Sequence, residues 1–257
     1  QTCALPIFAK ELQAFLVLPG IAAAYAVAGP GTRRRRAVGL ATIGVSTLVT
    51  GGWWLVLVSV WPASSRPYLG GSQNNTIWNV LFGYNGVGRL TGNETGSVVG
   101  GRRPPGPGMW GSSGLGRMFD GHFGAQASWL LPAALIFLGV ALATTLAAPR
   151  SDRIRAAALL WGGWLLVTGA AFSLGRGIIH EYYTVALAPA LGALVGIGGV
   201  TLWRRRGNWF ARIGLAGVIG LTGWWTVQLL ERTPGWNAWL QPLVIVASVV
   251  GIVGVLA

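Results

Sequence analysis

Apolar segments without a charged residue recur along the whole chain, and they constrain its fold more than any other feature. Each has about 18 to 25 residues, which is enough to cross a hydrocarbon core of roughly 30 Å. Only 10% of the residues are charged, whereas about a quarter are charged in a soluble domain. The pattern predicts an all-α, polytopic membrane bundle of about seven transmembrane helices with one long external loop. The segments are Leu12–Gly29, Ala37–Trp61, Trp129–Ala147, Ala156–Leu174, Thr184–Trp203, Ile213–Leu230 and Trp239–Ala257.

Small-residue spacings would allow some of these helices to approach each other closely. Gly192 and Gly196 lie in the fifth segment, and Gly214 and Gly217 lie in the sixth. Small residues at such spacings let two helix backbones come together. Close helix–helix contact would therefore be allowed at these two places.

The arginine residues set the predicted orientation. Alternate short connections are dense in Arg, and the positive-inside rule places such connections in the cytoplasm. The formal net charge of +13 is therefore explained by the orientation of the chain in the membrane. Nucleic acid is not a predicted partner. We expect a multi-pass protein of the bacterial plasma membrane, with membrane lipids as partners. The cytoplasmic arginines are Arg33–Arg36, Arg150, Arg153, Arg155, Arg204–Arg206 and Arg212.

The two ends of the sequence predict an incomplete chain. Residues 1–7 look like the translation of a sequencing adapter, and they contain the single cysteine, Cys3. The last segment is still apolar where it stops. We expect residues 8–257 to be the transmembrane domain of an internal fragment, with residues 62–127 as its external loop.

The length of that external loop is typical of a segment that is either functional or disordered. Its centre, Gly92–Gly116, is rich in Gly, Pro and Ser, which is typical of a flexible segment. We expect it to act as a lid that orders on ligand binding. Its flanks, Trp78–Tyr84 and Met118–Phe119, mix aromatic and apolar residues and predict short interfacial helices.

Two groups of candidate ligand-binding residues lie in the loop. Arg66 and Tyr68 stand beside a glycine-rich turn just outside the second segment, and Arg can bind a phosphate through two parallel hydrogen bonds. The alternative is an Arg paired with lipid headgroups and a Tyr of the aromatic belt. Tyr84, Asn85 and Arg89 form the second group, which predicts sugar binding or, alternatively, a turn that closes an interfacial helix.

A third group lies in the connection between the fourth and fifth segments. His180, Tyr182 and Tyr183 follow one another closely there. His180 is suited to proton transfer or to phosphate binding when protonated. The alternative is an interfacial loop anchored by Tyr, with Glu181 paired to Arg176. Asp120 and His122 offer two metal-ligand types, which is too few for a site, so no metal site is predicted.

Three blocks carry a family resemblance: Trp61–Tyr68, Gly83–Gly86 and His180–Ala190. In this order they resemble bacterial glycosyltransferase family 39, of the GT-C class, and in particular its actinobacterial mannosyltransferase type. The resemblance implies an enzyme that moves a sugar from a polyprenyl-phosphate carrier to an acceptor on the outer face. It also implies inversion, an acidic base in an external loop near the N-terminus, and a divalent metal in some members.

The resemblance assigns part of a cavity wall to this chain. It implies substrate-binding roles for Arg66, Tyr68, Tyr84, Asn85, His180, Tyr182 and Tyr183, to which the residue chemistry adds Arg89. Glu181 stands where the family usually has Pro. The catalytic residue is not assigned, because no acid here matches the family's catalytic motif. We therefore expect the base to lie outside this fragment, the cofactor to be unknown, and the fragment alone to be inactive.

Two other functions stay open from the sequence. A transporter or flippase for a lipid-linked sugar predicts ionisable residues at mid-membrane and broken helices in corresponding halves. A non-catalytic membrane scaffold predicts that Arg66 and His180 tolerate replacement by Ala. The uncharged segments and the polar groups at one face favour the enzyme.

Overall fold

The chain forms a bundle of apolar helices in a computed structural model that describes residues 11–93 and 111–257. Across these two ranges the regular structure is helical and contains no β-strand. The seven predicted apolar segments all become helices. They are α1 (Leu18–Ala28), α2 (Arg33–Val60), α3 (Leu131–Thr144), α4 (Arg153–Leu174), α5 (Ala188–Arg204), α6 (Trp209–Leu230) and α7 (Leu240–Leu256).

Four of these helices are long and apolar enough to cross a membrane. They are α2, α4, α6 and the 24-residue rod Glu181–Arg204, in which the 3₁₀ helix Glu181–Leu187 runs into α5. The other three apolar helices, Leu12–Ala28, α3 and α7, have 10 to 17 residues. At about 1.5 Å per residue they are shorter than a hydrocarbon core. A membrane bundle is thus supported, and seven crossings stay a prediction.

The starts of the helices follow from residues that suit a helix N-terminus. Pro19, Pro132 and Pro189 occupy the first turn of α1, α3 and α5, where the missing N–H costs nothing. Asp152 caps α4, because its Oδ1 accepts the backbone N–H of Arg155 at 2.8 Å. Thr32 caps α2 in the same way at 3.3 Å.

The ends of several helices are closed by arginine side chains. Arg150 donates to the carbonyls of Val27 and Gly29 at 3.0 and 2.7 Å, at the end of α1. Arg155 donates to the Thr145 carbonyl just after α3, and Arg212 donates to the Leu256 carbonyl of α7 at 3.0 Å. The last carbonyls of a helix have no partner within it. The predicted cytoplasmic arginines therefore also satisfy helix ends.

The core lies between α3, α4 and α5. α1 packs along α4, and α6 packs along α7. The backbones of α1 and α4 approach closely, because a Cβ on Gly163 would lie 2.5 Å from the Gly20 Cα atom. Of the small residues whose spacing would allow a close contact, Gly214 has one, since a Cβ there would lie 3.3 Å from the Leu202 Cδ1 atom, whereas Gly192, Gly196 and Gly217 face open space among the described residues. Their spacing permits a close contact, but the bundle turns these faces away from the other described helices.

Gly163→Ala should destabilise the protein by about 1 to 3 kcal/mol, because its methyl group would force α1 and α4 apart. Gly169→Ala is the matched control in the same helix, where a Cβ meets open space. We expect it to be neutral or slightly stabilising. Thermal unfolding of the purified variants in detergent measures both effects, and equal melting temperatures would contradict this packing.

Cysteine labelling should decide whether α3 crosses the membrane. In a Cys3→Ala background, Ser65→Cys and Ala238→Cys should both react with an impermeant maleimide applied to whole cells. The reason is that four crossings, by α3 to α6, return the chain to the same side. Arg34→Cys and Arg205→Cys should react only after permeabilisation. Labelling of Ala238→Cys from the inside alone would mean that α3 does not cross.

Candidate functional site

The predicted outer end of α4 anchors both flanks of the long loop. In the first flank, the Leu90 carbonyl accepts the Arg176 N–H at 3.2 Å, and the Arg89 carbonyl accepts the Gly177 N–H at 2.9 Å. In the second flank, Gly114 N–H donates to the Ser173 carbonyl at 2.8 Å. These backbone bonds bring distant parts of the sequence to one place.

The first flank is shaped by two glycines and by irregular helical turns. The turn Ile77–Asn79 runs into a π-helical turn, Val80–Tyr84, and then into the short helix Val87–Thr91. A Cβ on Gly86 would collide with the Leu81 carbonyl. Gly92 ends the short helix with φ 81°, a conformation that favours glycine. The predicted helices of this flank are therefore present, although short.

Arg117 ties the second flank to the same helix end. It is 3% exposed, and its Nη1 donates to the carbonyls of Phe172 and Gly175 at 3.1 and 2.6 Å. Its guanidinium lies 4.8 Å from the centre of the Phe123 ring. Burial lowers the pKa of Arg117, and the nearby Asp120 carboxylate acts in the opposite direction. The Arg117 side chain therefore holds the second flank of the loop against the end of α4.

Arg89 joins the second and third predicted groups. Its Nη1 donates to the Ile178 carbonyl at 2.9 Å, and its Nη2 lies 3.5 Å from the Asn85 Oδ1 atom. Ile178 is two residues before His180 in the same connection. The half-buried guanidinium therefore positions the segment that carries the aromatic group.

The third group is a cluster of three aromatic rings in mutual contact. The His180 ring is 5.1 Å from the Tyr182 ring and nearly parallel to it, at 16°. The Tyr183 ring meets both edge to face, at 5.2 and 4.9 Å. Tyr183 is 8% exposed and Tyr182 is 61% exposed. The cluster therefore has one ring in the core and one at the surface.

An outer cavity of about 120 Å³ lies between the first flank and the end of α4. Most of its wall is apolar, and its polar groups come from Gln13, Asn85, Arg89 and Tyr183. Arg89 is the charged side chain among the described residues that line it. The full lining is Leu12, Gln13, Leu16, Asn85, Gly86, Val87, Arg89, Leu90, Ala171, Phe172, Ile179 and Tyr183.

A second cavity of about 390 Å³, here called the deeper cavity because it extends along α4 to Thr168, adjoins the outer one and shares Gln13 and Tyr183 with it. It also opens to the surface, where it is lined by the exposed side chains of Tyr182 and Val185. Thr168 lies six residues before the end of α4, or about 9 Å further into the bundle. The Trp164 indole donates to the Ala186 carbonyl at 2.9 Å, which fixes the ring in the wall. The lining is Gln13, Ala14, Val17, Trp164, Thr168, Tyr182, Tyr183, Val185 and Ala186.

The structure brings several predicted site residues together. Asn85 and Arg89 line the outer cavity, Tyr182 lines the deeper one, and Tyr183 lines both. His180 stacks against the two tyrosines. The backbone of Tyr84 lies in the π-helical turn, and its side chain is outside the described part of the structure. Their roles in substrate binding stay predictions.

Arg66 and Tyr68 lie apart from both cavities. The Arg66 Nη1 donates to the Asn75 carbonyl at 2.8 Å, while its Nε and Nη2 donate to the carbonyls of Trp61 and Ser59, both at 3.2 Å. The guanidinium therefore closes the end of α2 and holds the following turn. Tyr68 is exposed, and its hydroxyl contacts the Ser72 carbonyl at 3.4 Å.

Asp120, His122 and Glu181 lie near one another in the described part of the structure. Asp120 Oδ1 accepts the backbone N–H groups of His122 and Phe123 at 2.9 and 2.8 Å. The Glu181 carboxylate lies 3.8 Å from His122 Nδ1, whereas a pairing with Arg176 was the alternative from sequence. No cluster of three His, Cys, Asp or Glu residues occurs within residues 11–93 and 111–257.

Sequence reasoning missed Gln13, Trp164 and Thr168. Gln13 and Thr168 are polar residues within apolar segments, which is a weak signal, and the sequence does not indicate that the two lie close together. The predicted lid, Gly92–Gly116, falls mostly on residues 94–110, which lie outside the described residues.

Two curated proteins that are similar to this chain indicate a class of enzyme. No family model matches the chain, and no solved structure matches it. The "Putative mannosyltransferase YkcB" of Bacillus subtilis (strain 168) is 26% identical over 322 residues, covering 93% of this chain and 41% of that protein. The "Putative mannosyltransferase YycA" of the same organism is 28% identical over 275 residues, covering 76% and 39%.

This similarity supports a glycosyltransferase. Both relatives are mannosyltransferases by name, in agreement with the resemblance that the three sequence blocks carry. The chain spans 39% to 41% of the length of these relatives. Membership of family 39 and the actinobacterial type stay predictions.

Arg89→Gln should loosen residues 176–180, because the side-chain hydrogen bond to the Ile178 carbonyl is lost. We expect a loss of about 1 to 2 kcal/mol of local stability, seen as faster hydrogen exchange in this segment by mass spectrometry. Arg176→Gln is the matched control, since it removes the same charge from an exposed neighbouring position. Equal exchange in the two variants would show that the Arg89 contact does not hold the segment.

Proposed function

We propose that the protein is part of a membrane glycosyltransferase that takes mannose from a polyprenyl-phosphate carrier and transfers it to an acceptor at the outer face. The observation that carries the proposal is the outer cavity, which combines Arg89 with an apolar wall. The similarity to proteins named as mannosyltransferases supports the reaction class.

The outer cavity fits a phosphate that is attached to hydrocarbon. Arg89 gives it a positive charge, and no carboxylate is among its described lining residues. An Arg beside a phosphate makes hydrogen bonds roughly twice as strong as those between neutral groups. Leu12, Leu16 and Leu90 offer apolar surface for the first units of a lipid chain. A polyprenyl phosphate has both parts.

The same charge would assist the chemical step. In the transfer, the bond between sugar C1 and the phosphate oxygen breaks, and a bond between C1 and the acceptor oxygen forms. The acceptor hydroxyl gives its proton to a base, and the polyprenyl phosphate leaves with one more negative charge. Arg89 would stabilise this leaving group. The described lining residues of the two cavities include no carboxylate that could be the base.

The other two functions are not favoured. A flippase would need a polar route across the bundle, whereas Arg89 and Asn85 lie at one end of it. A scaffold gives no reason for a positive cavity among apolar helices. Assays for sugar transfer and for lipid translocation distinguish the enzyme from the flippase, because only transfer moves the label from the lipid to an acceptor.

Arg89→Gln should weaken binding of radiolabelled polyprenyl-phosphate mannose by about 10- to 100-fold, because a charge-assisted phosphate contact is lost. Arg89→Lys, which keeps the positive charge, should weaken binding less, whereas an equal loss in both would trace the effect to the loosened segment 176–180. Binding is measured on the purified protein in nanodiscs. Arg176→Gln should bind like the unmodified protein, and a competing excess of ordinary phospholipid should not displace the donor. Unsaturable binding, or an equal loss in Arg89→Gln and Arg176→Gln, would contradict the proposal.

A further inference from the structure

The deeper cavity contains a buried polar group whose presence the fold does not explain. Thr168 is 2% exposed, and its hydroxyl finds no hydrogen-bond partner in the part of the chain that the structure describes. Thr201, in α5, shows the usual arrangement, since its hydroxyl donates to the Ile197 carbonyl at 2.6 Å. An unsatisfied buried hydroxyl is unfavourable, so its presence at a cavity wall points to a ligand.

The chemistry of the other residues that line the cavity indicates the chemical class of this ligand. Gln13 contributes an amide, which can both donate and accept hydrogen bonds. Trp164, Tyr182 and Tyr183 contribute aromatic surface. No charged side chain is among the described residues that line the cavity. A neutral group with several hydroxyls and a flat apolar face matches this wall.

We propose that the deeper cavity is the hexose subsite, in which Thr168 and Gln13 hydrogen-bond sugar hydroxyls and the aromatic rings pack on the sugar face. This inference rests on the proposed function and adds where the sugar lies. The volume of about 390 Å³ is within the usual range of roughly 300 to 1,000 Å³ for ligand pockets. Hydrocarbon in this cavity would leave the Thr168 hydroxyl unsatisfied, so we assign the lipid chain to the outer cavity.

The two cavities are arranged for one ligand. They share Gln13 and Tyr183, so a phosphate at Arg89 would be next to a sugar that enters the deeper cavity. Thr168 and Gln13 then act as specificity residues, because they distinguish the sugar-bearing lipid from the carrier alone.

The test compares two lipids and two variants in nanodiscs: polyprenyl-phosphate mannose and unglycosylated polyprenyl phosphate, with Thr168→Val and the control Thr201→Val. Thr168→Val should weaken binding of the mannosyl lipid about three- to tenfold and leave binding of the bare carrier unchanged. The ligand-free melting temperature should not fall, because the lost hydroxyl had no partner among the described residues. Thr201→Val should bind both lipids like the unmodified protein.

Three other outcomes overturn the inference. Equal weakening of both lipids, or a lower melting temperature without ligand, would make Thr168 a structural residue. Unchanged binding in Thr168→Val would show that the hexose lies elsewhere. If both lipids still bind to the unmodified protein and binding depends on Arg89, the proposed function is retained whatever Thr168→Val does. If the unmodified protein binds neither lipid, the proposed function itself fails.

Discussion

The hydrogen bond between an arginine side chain and a helix-terminal carbonyl is the interaction on which the rest of this structure depends. Each helix ends with carbonyls that have no partner within the helix, and the chain has 19 Lys and Arg but only six acids. A guanidinium has five donors and can serve several carbonyls at once. Arg66, Arg117, Arg150 and Arg155 all do so. The excess of arginine is therefore used within the fold as well as in setting its orientation.

This use of arginine explains how a cavity with a positive charge forms at the end of α4. Arg117 bonds the last carbonyls of α4, and Gly114 donates to the Ser173 carbonyl beside them, so the second flank of the loop is fixed there. Arg89 fixes the first flank from the other side through the Ile178 carbonyl. These bonds use carbonyls rather than carboxylates, and the described wall of the outer cavity contains no acidic residue. A phosphate that enters this cavity would therefore meet a positive charge.

The sequence predicts the helices well and their contacts poorly, for a physical reason. Length and the absence of charge decide whether a segment is a membrane helix, and both are visible in the sequence. The partner of a side chain depends on tertiary placement. Arg66 reads as a phosphate ligand, yet its nitrogens reach the carbonyls at the end of α2. Gly192 and Gly196 have the spacing of a helix contact, yet Gly20 and Gly163 form it.

Thr168 shows why the sequence alone does not reveal a buried hydroxyl that lacks a hydrogen-bond partner. A Thr in an apolar helix normally bonds the carbonyl one turn before it, as Thr201 does, and the sequence does not show which Thr departs from this. A buried hydroxyl without a hydrogen-bond partner costs about 1 to 3 kcal/mol. A sugar hydroxyl would recover that free energy, and a ligand without one would not. This cost would thus be the source of selectivity, because discrimination depends on a polar group that only the correct ligand satisfies.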